Sequence, residues 1–531
     1  MSKKGVRHQF LTPTPARKRC PKKKVSDTLF PGNWCLTPFF GEKVSDTFSV
    51  GGGTSLDTRC AFRAKRALVL PGAPFVTTSG LFACPRCDRA PLDETPSGLR
   101  CAGCRVDFPL VGGVPWLFAE PQAALGEWRG RLHFSLRQLE RHRAELEAAL
   151  ARPGIRASTR KRLETLRDGT AGHAQRLAAL LAPLELDALT ASVETYLALR
   201  TRPPSDQGLL TYYANVHRDW AWGREENALA LDLIRDVLAG RSPGRTLVLG
   251  SGAGRLAYDI HMQLGAESTV ALDFNPLLVL VAARVTAGLP VELYEFPIAP
   301  RRAADHAVLR VLAADAPARA GLLHVLADAH RPPFPRGAFD TVVTPWLVDI
   351  LPEPLDAQAG RINHLLADDG CWVNFGSLTF HDADPALHYD LDECIEVLIE
   401  QGFARPAVLE RTIPYLASPA SRHARREEVA AWRADKARST KRPPRHEALP
   451  DWLVRGSEPV PLIAAFQTQI MTTRIHAFIM SLIDGRRSLK DIAKILAKQR
   501  LMTADEAEPA LRSFLIRMHD DSRRGFGPHA S

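Results

Sequence analysis

Thr246-Leu-Val-Leu-Gly-Ser-Gly-Ala-Gly-Arg255, followed by Thr269-Val-Ala-Leu-Asp273, is the stretch whose reading decides the fold. An apolar strand runs into a glycine-rich turn, a helix follows, and a second apolar strand ends in a carboxylate. A doubly wound sheet builds a nucleotide pocket in this way. Gly250, Gly252 and Gly254 let backbone N–H groups approach a ligand closely, and the following helix turns its positive end toward it. Asp273, at the tip of the second strand, can accept from both ribose hydroxyls. An ordinary tight turn accounts for the glycines but not for the carboxylate. A Gly-x-Gly-x-Gly turn with an acid this close behind fits S-adenosylmethionine better than a dinucleotide.

Outward from this point the pattern alternates. Apolar runs predict strands near 246–250, 269–273, 322–327, 339–344 and 371–376, and helical spacing predicts helices near 254–264, 276–287, 356–367 and 390–401. That alternation predicts an α/β, doubly wound, Rossmann-like core with a mostly parallel sheet and helices on both faces. Upstream, Tyr212 to Ala239 reads as one helix leading into the first strand. Leu125, Trp128, Leu132, Leu136 and Leu139 open a helical lead-in that runs to about residue 200, where Pro203-Pro204 punctuates the chain.

Cys84-Pro-Arg-Cys87 and Cys101-Ala-Gly-Cys104 form two CxxC knuckles at a spacing that lets four thiolates converge on zinc. Four ligands leave no open coordination position, so the zinc is expected to be structural. The chain has nine cysteines, and this clustering suits metal ligation in a reducing compartment rather than a disulfide framework.

A chain of 531 residues with 45% hydrophobic content has room for two to four globular domains. The boundaries expected are a basic segment over 1–80, the cysteine module over 81–120, the helical region over 121–202 and the sheet domain over 203–436. A charged linker follows over 437–455 and a small helical module over 456–527. In that module Ile463–Ile483 reads as a helix stopped at Gly485, Ser488 opens a capping box with Asp491, and Thr503 caps a third helix. Residues 1–80 hold fourteen Lys/Arg against four Asp/Glu, so the whole formal charge of +10 lies there and the remaining chain is balanced. Phosphate binding needs clustered positive charge on the binding face, so the charge argues against a nucleic-acid partner. No run is apolar and long enough for a membrane span, and the N-terminus has no hydrophobic signal stretch; the protein is expected to be cytoplasmic. Lys43-Val-Ser-Asp-Thr-Phe48 nearly repeats Lys24-Val-Ser-Asp-Thr-Leu29 in Lys/Pro/Gly-rich surroundings. Residues 1–68 are therefore expected to be disordered, or to come from a start site placed too early.

Four resemblances add to this reading. Leu326-Ala-Asp328-Ala329, Phe339-Asp-Thr-Val-Val-Thr344 and Leu365-Leu-Ala-Asp-Asp-Gly370 resemble the third, fourth and fifth strand regions of class I methyltransferases. Tyr212-Tyr-Ala-Asn-Val-His-Arg-Asp-Trp-Ala-Trp222, Gly254-Arg-Leu-Ala-Tyr258, Phe339 to Asp349 and Trp372-Val-Asn-Phe-Gly-Ser-Leu-Thr-Phe-His381 together resemble the carnosine N-methyltransferase family over about residues 200–435. The resemblance implies that Asn215, Arg218, Gly250, Gly252, Gly254, Asp273, Asp328 and Ala329 hold the cofactor, and that Asp349, His381 and Tyr415 hold an imidazole-bearing substrate. Asn215 stands where the family has a glutamine, and Trp346-Leu347 replaces a pair of phenylalanines. Phe108 to Phe118 resembles the end of small zinc-ribbon proteins that accompany some methyltransferases. Ala477 to Ala493 resembles the peptide-holding, PqqD-like winged-helix modules of pyrroloquinoline quinone biosynthesis.

The expected function is an S-adenosylmethionine-dependent N-methyltransferase, with structural zinc, acting on an imidazole nitrogen of a histidine-containing small molecule, dipeptide or peptide. Trp346 or Trp220 is expected to wall a cationic ligand. The rival expectation is a non-catalytic binding or regulatory protein with a vestigial methyltransferase fold. The oligomeric state is left open.

Overall fold

The computed structural model describes residues 80–186, 209–351, 353–380, 384–441, 459–460, 462 and 464–523. The basic segment up to residue 79, most of the expected linker, and His381 lie outside the described residues.

The described chain opens with β1 (Asp93–Thr95), β2 (Gly98–Arg100), β3 (Asp107–Val111) and β4 (Val114–Pro115), an antiparallel ribbon around the cysteines. Two long helices follow, α1 (Pro121–Leu150) and α2 (Ala157–Leu180). The single helix expected from Tyr212 to Ala239 is broken into α3 (Tyr213–His217), a π-helical turn (Arg218–Trp222) and α4 (Arg224–Leu238). Gly223 makes the break: its N–H closes onto the Arg218 carbonyl at 2.8 Å, and a Cβ there would sit 2.4 Å from the same oxygen. Only glycine lets the chain make this wider turn.

The sheet domain runs β5 (Arg245–Leu249), α5 (Arg255–Gln263), β6 (Ser268–Asp273), α6 (Pro276–Thr286), β7 (Val291–Glu295), β8 (Val308–Leu312), β9 (Leu322–Leu326), β10 (Phe339–Pro345), α7 (Leu355–Leu365), β11 (Leu366–Gly376), α8 (Leu391–Glu400), β12 (Ala407–Tyr415) and β13 (Arg425–Asp435). Its seven-stranded sheet has the order β12-β13-β11-β10-β5-β6-β9. Strands β9, β6, β5, β10 and β11 are parallel; β13 pairs antiparallel with β11, and β12 antiparallel with β13. The sheet is therefore mixed. β7 and β8 form a separate hairpin between α6 and β9, joined to the segment after β12 by an Arg422 N–H on the Ala299 carbonyl at 2.7 Å.

Both faces of the parallel part are covered. Leu247, Leu249, Val270, Leu272 and Val342 pack into one cluster, while the intervening Val248, Ala271 and Val343 pack into another with α4 and α5. A strand buried on both sides reads as an unbroken apolar run, as Leu247 to Leu249 does.

The ribbon docks on the β9 end of the sheet. The Leu117 N–H donates to the Leu326 carbonyl at 2.7 Å, Trp116 bridges Leu326 in parallel, and the Ala83 N–H donates to the Pro333 carbonyl at 2.8 Å. The C-terminal module consists, among the described residues, of α9 (Ala464–Ser481), α10 (Leu489–Lys498) and α11 (Ala504–Arg523), with no strand. Its capping box forms as expected, Ser488 Oγ accepting the Asp491 N–H and Asp491 accepting the Ser488 N–H. Leu482, Ile492, Leu496 and Leu511 make its own small core.

Candidate functional site

At the C-terminal end of β5 the three glycines take left-handed φ values of 67°, 56° and 86° at Gly250, Gly252 and Gly254. Their reasons differ. A Cβ on Gly254 would lie 2.8 Å from the Ala282 Cβ, so this glycine lets the loop close onto α6. A Cβ on Gly252 would meet nothing within 4 Å, so this glycine keeps open a space that a ligand can approach. The Trp220 indole Nε1 donates to the Ala253 carbonyl at 2.7 Å, and its ring stands edge-on to Tyr258 with the Arg255 guanidinium over it. Trp220 thus anchors the glycine loop.

Asp273, 6% exposed, is fixed by two backbone donors: Gly252 N–H to Oδ2 at 2.8 Å and Asn275 N–H to Oδ1 at 2.9 Å. A carboxylate has about four acceptor positions, so about two are left for hydroxyl donors. Burial pushes its carboxyl up to about 6, against the opposing effect of these N–H groups.

Asp273 is register-paired with Leu326 on the neighbouring strand, two residues before Asp328. Asp328 Oδ1 accepts both the N–H and the ring Nδ1–H of His330, at 2.9 and 2.8 Å. Burial alone would raise this carboxyl, but the His330 hydrogen bonds and charge outweigh it and hold it below the usual carboxylate range. His330 is raised in return, its burial outweighed by Asp328. His330 escaped the sequence reading, although an Asp-x-His spacing in a turn is a local signal for such a pair. Ala329, between them, is half-buried.

A second group of residues gathers where β10, β11 and β12 end. Asp349, 8% exposed, accepts the Thr379 N–H on Oδ2 at 2.7 Å, tying the turn after β10 to the segment after β11. Trp346 has a left-handed φ of 52°, donates its N–H to the Phe375 carbonyl at 2.7 Å, and packs against Phe375 and Tyr415 at ring separations of 5.4 and 4.9 Å. A bulky residue in that conformation is held by its surroundings at a cost of about 1–3 kcal/mol. The Arg425 guanidinium lies 4.3 Å over the Tyr415 ring.

Asn215 is half-buried in α3. Arg218 pairs through Nε with Asp219 at 2.7 Å and through Nη1 with Glu226 at 2.9 Å, and Glu226 Oε2 accepts the Leu416 N–H at 2.9 Å. Burial raises both carboxyls, and Arg218 opposes it. Arg218 is therefore linked through Glu226 to the residue after Tyr415. So Asp273 and the glycine loop are joined directly and Asp328 lies two residues beyond the adjacent strand, while Asp349 and Tyr415 belong to the second group.

The four cysteine sulfurs lie within 4.8 Å of one another. Cys84 to Cys104 is 3.6 Å and Cys87 to Cys101 is 3.4 Å. Four sulfurs about 2.3 Å from a zinc stand about 3.8 Å apart, so the set fits a tetrahedral zinc held by Cys84, Cys87, Cys101 and Cys104. Each knuckle ends on a left-handed residue, Asp88 and Arg105, and the Gly103 and Cys104 N–H groups point at the Cys101 sulfur. Burial pushes the Cys101 thiol up, but these N–H groups and Cys87 bring it down to about 7. Among the described residues no helix is long and apolar enough to cross a membrane.

No protein-family model and no curated protein matches the chain. Among solved structures it is similar to a SAM-dependent methyltransferase from Thermotoga maritima, a possible histamine N-methyltransferase, at 11% identity and TM-score 0.28 over 43% of this chain and 98% of that one. It is similar to phosphoethanolamine N-methyltransferase 2 of Haemonchus contortus, solved with S-adenosylmethionine, at 13% identity and TM-score 0.29 over 43% of this chain and 57% of that one. The cyclase SpnF gives 14% identity and TM-score 0.30 over 43% and 92%.

Proposed function

We propose that the chain is an S-adenosylmethionine-dependent N-methyltransferase acting on an imidazole nitrogen of a histidine-containing small molecule, dipeptide or peptide. One observation carries the reading: a buried carboxylate at the tip of β6, locked to the middle of a three-glycine loop whose central glycine borders open space. The strand order supports it. Counted from β5 it is 3-2-1-4-5-7-6 with the seventh strand reversed, as in the class I methyltransferase sheet.

When bound, S-adenosylmethionine supplies an electrophilic methyl group on a sulfonium. The remaining acceptor positions of Asp273 suit the two ribose hydroxyls, and the loop N–H groups and the start of α5 suit polar ligand atoms. Asp328 suits the adenine amino group, its charge held by His330. Asn215 and Arg218 close the site from the segment before the sheet. An imidazole offers one donor and one acceptor nitrogen, so a carboxylate accepting its N–H fixes the tautomer and aims the other nitrogen's lone pair at the methyl group. Asp349 has that role, with His381 and Tyr415 holding the ring. As methyl transfer makes the ring cationic, the Asp349 charge favours the transition state over the ground state.

Calorimetric titration with S-adenosylmethionine tests the cofactor, and labelled methyl donor with histidine, carnosine-like dipeptides and histidine peptides tests the acceptor. Saturable binding and label on an imidazole nitrogen are expected. Absence of binding overturns the reading; binding with label only on a non-imidazole acceptor overturns the substrate class.

A further inference from the structure

We propose that the cysteine ribbon positions the loop suited to adenine, with Phe82, Ala83 and Leu117 as positioning residues, so that zinc at the four cysteines raises the affinity for S-adenosylmethionine. This rests on the cofactor reading above.

The segment from Leu326 to Phe334 carries Asp328 and has no helix or strand of its own beyond Leu326. Its near end is held by the sheet, through the Ala327 N–H on the Asp273 carbonyl at 3.1 Å, and by the ribbon, through the Leu117 N–H on the Leu326 carbonyl at 2.7 Å. Its far end is held by the ribbon through the Ala83 N–H on the Pro333 carbonyl at 2.8 Å. Beside that bond the Phe82 ring, 1% exposed, packs on Phe334 at 5.9 Å, and Phe334 stands edge-on to Phe339 of β10 at 4.9 Å.

Ala83 precedes the ligand-set residue Cys84, whose own N–H closes the knuckle on the Arg89 carbonyl at 2.9 Å. The geometry of the first knuckle therefore sets where the Ala83 donor and the Phe82 ring stand. A ribbon of this size derives much of its folding energy from metal ligation. Without the metal, the far anchor of the adenine loop loses its definition, and ligand binding must then order that loop as well. Coupling of this kind is reciprocal, so S-adenosylmethionine must also raise the affinity for zinc.

The experiment uses the full chain, loaded with zinc and then stripped by a chelator, with metal content measured. Titration with S-adenosylmethionine is expected to show binding weakened about tenfold or more on stripping. Hydrogen exchange is expected to quicken over residues 328–334 while residues 246–250 keep their protection. In a competition titration, saturating S-adenosylmethionine is expected to shift the chelator midpoint toward tighter zinc. Phe82→Ala, which keeps all four cysteines, is expected to weaken binding several-fold at full zinc content, and Phe82→Leu to restore it. Affinities of the stripped protein and of Phe82→Ala within twofold of wild type overturn the proposal, as does loss of protection spread evenly over the sheet. Zinc-loaded wild type that binds no S-adenosylmethionine overturns the cofactor reading itself. Wild-type binding with unaltered variants overturns only the positioning role.

Discussion

Trp220 and Ala253 are joined by an indole N–H to carbonyl hydrogen bond of 2.7 Å, which ties the glycine loop to the π-helical turn before the sheet. Ala253 is fully buried, so its carbonyl has no ready substitute donor. Trp220→Phe keeps an aromatic ring but removes the donor. It is expected to cost about 1–3 kcal/mol of stability, read by chemical denaturation, and to weaken S-adenosylmethionine binding in the same variant. Unchanged values for both would mean that the loop holds its shape without this bond.

Gly252 and Gly254 separate binding from folding. Both are left-handed, so alanine at either costs about 1–2 kcal/mol of backbone strain. At Gly254 the new Cβ also meets Ala282 at 2.8 Å, whereas at Gly252 it enters open space. Gly254→Ala is expected to show the larger drop in melting temperature. Gly252→Ala is expected to lose only the few degrees that the backbone strain accounts for, and to lose cofactor affinity, because its methyl occupies the ligand's approach. Comparing melting curves with titrations of the two variants checks this.

Burial raises the Asp273 carboxyl to about 6 from 3.8. An acid raised in the folded state favours folding when protonated, so its contribution to apoprotein stability is lost as pH rises between those two values. Binding has the opposite sign, because hydroxyl donors need the ionised form. Affinity for S-adenosylmethionine is expected to be flat above about pH 7 and to fall about tenfold per unit well below pH 6. Asp273→Asn should bind more weakly with that slope removed. Titrations from pH 5 to 8 on both proteins decide it, and a flat wild-type profile would refute the role.

Asp349→Asn retains an oxygen for the Thr379 N–H but removes the charge. Methyl transfer is expected to fall about 10²–10³-fold with cofactor binding intact. The readout is kcat beside the cofactor Kd. Normal turnover would remove Asp349 from the chemistry.

The parallel strands were legible because burial on both faces leaves runs such as Leu247 to Leu249 apolar throughout. β12 and β13 were not. Glu410 and Arg411 of β12 are exposed on the sheet's outer edge, and β13 opens with the charged Arg425-Arg426-Glu427-Glu428, which leaves only the short buried run Val429 to Trp432 to mark it as a strand. The break at Gly223 depends on contact with a carbonyl five residues back, which helical periodicity does not register. In the site, the glycine loop and Asp273 were readable because strand, turn and strand are local. Asp349 and Tyr415 were expected only through resemblance; the structure places Asp349 in the turn after β10 and Tyr415 at the last residue of β12. The ribbon's grip on Leu326 and Pro333 joins residues some two hundred positions apart, beyond any local pattern.

β9 is the last strand on its side of the sheet, and such a strand offers a row of backbone groups on which a foreign chain can template itself. The bridge from Trp116 and the hydrogen bond from Leu117 fill part of that row with the protein's own backbone. A chain shorn of the ribbon would thus meet its neighbours with an adhesive flank, and its first failure would be precipitation.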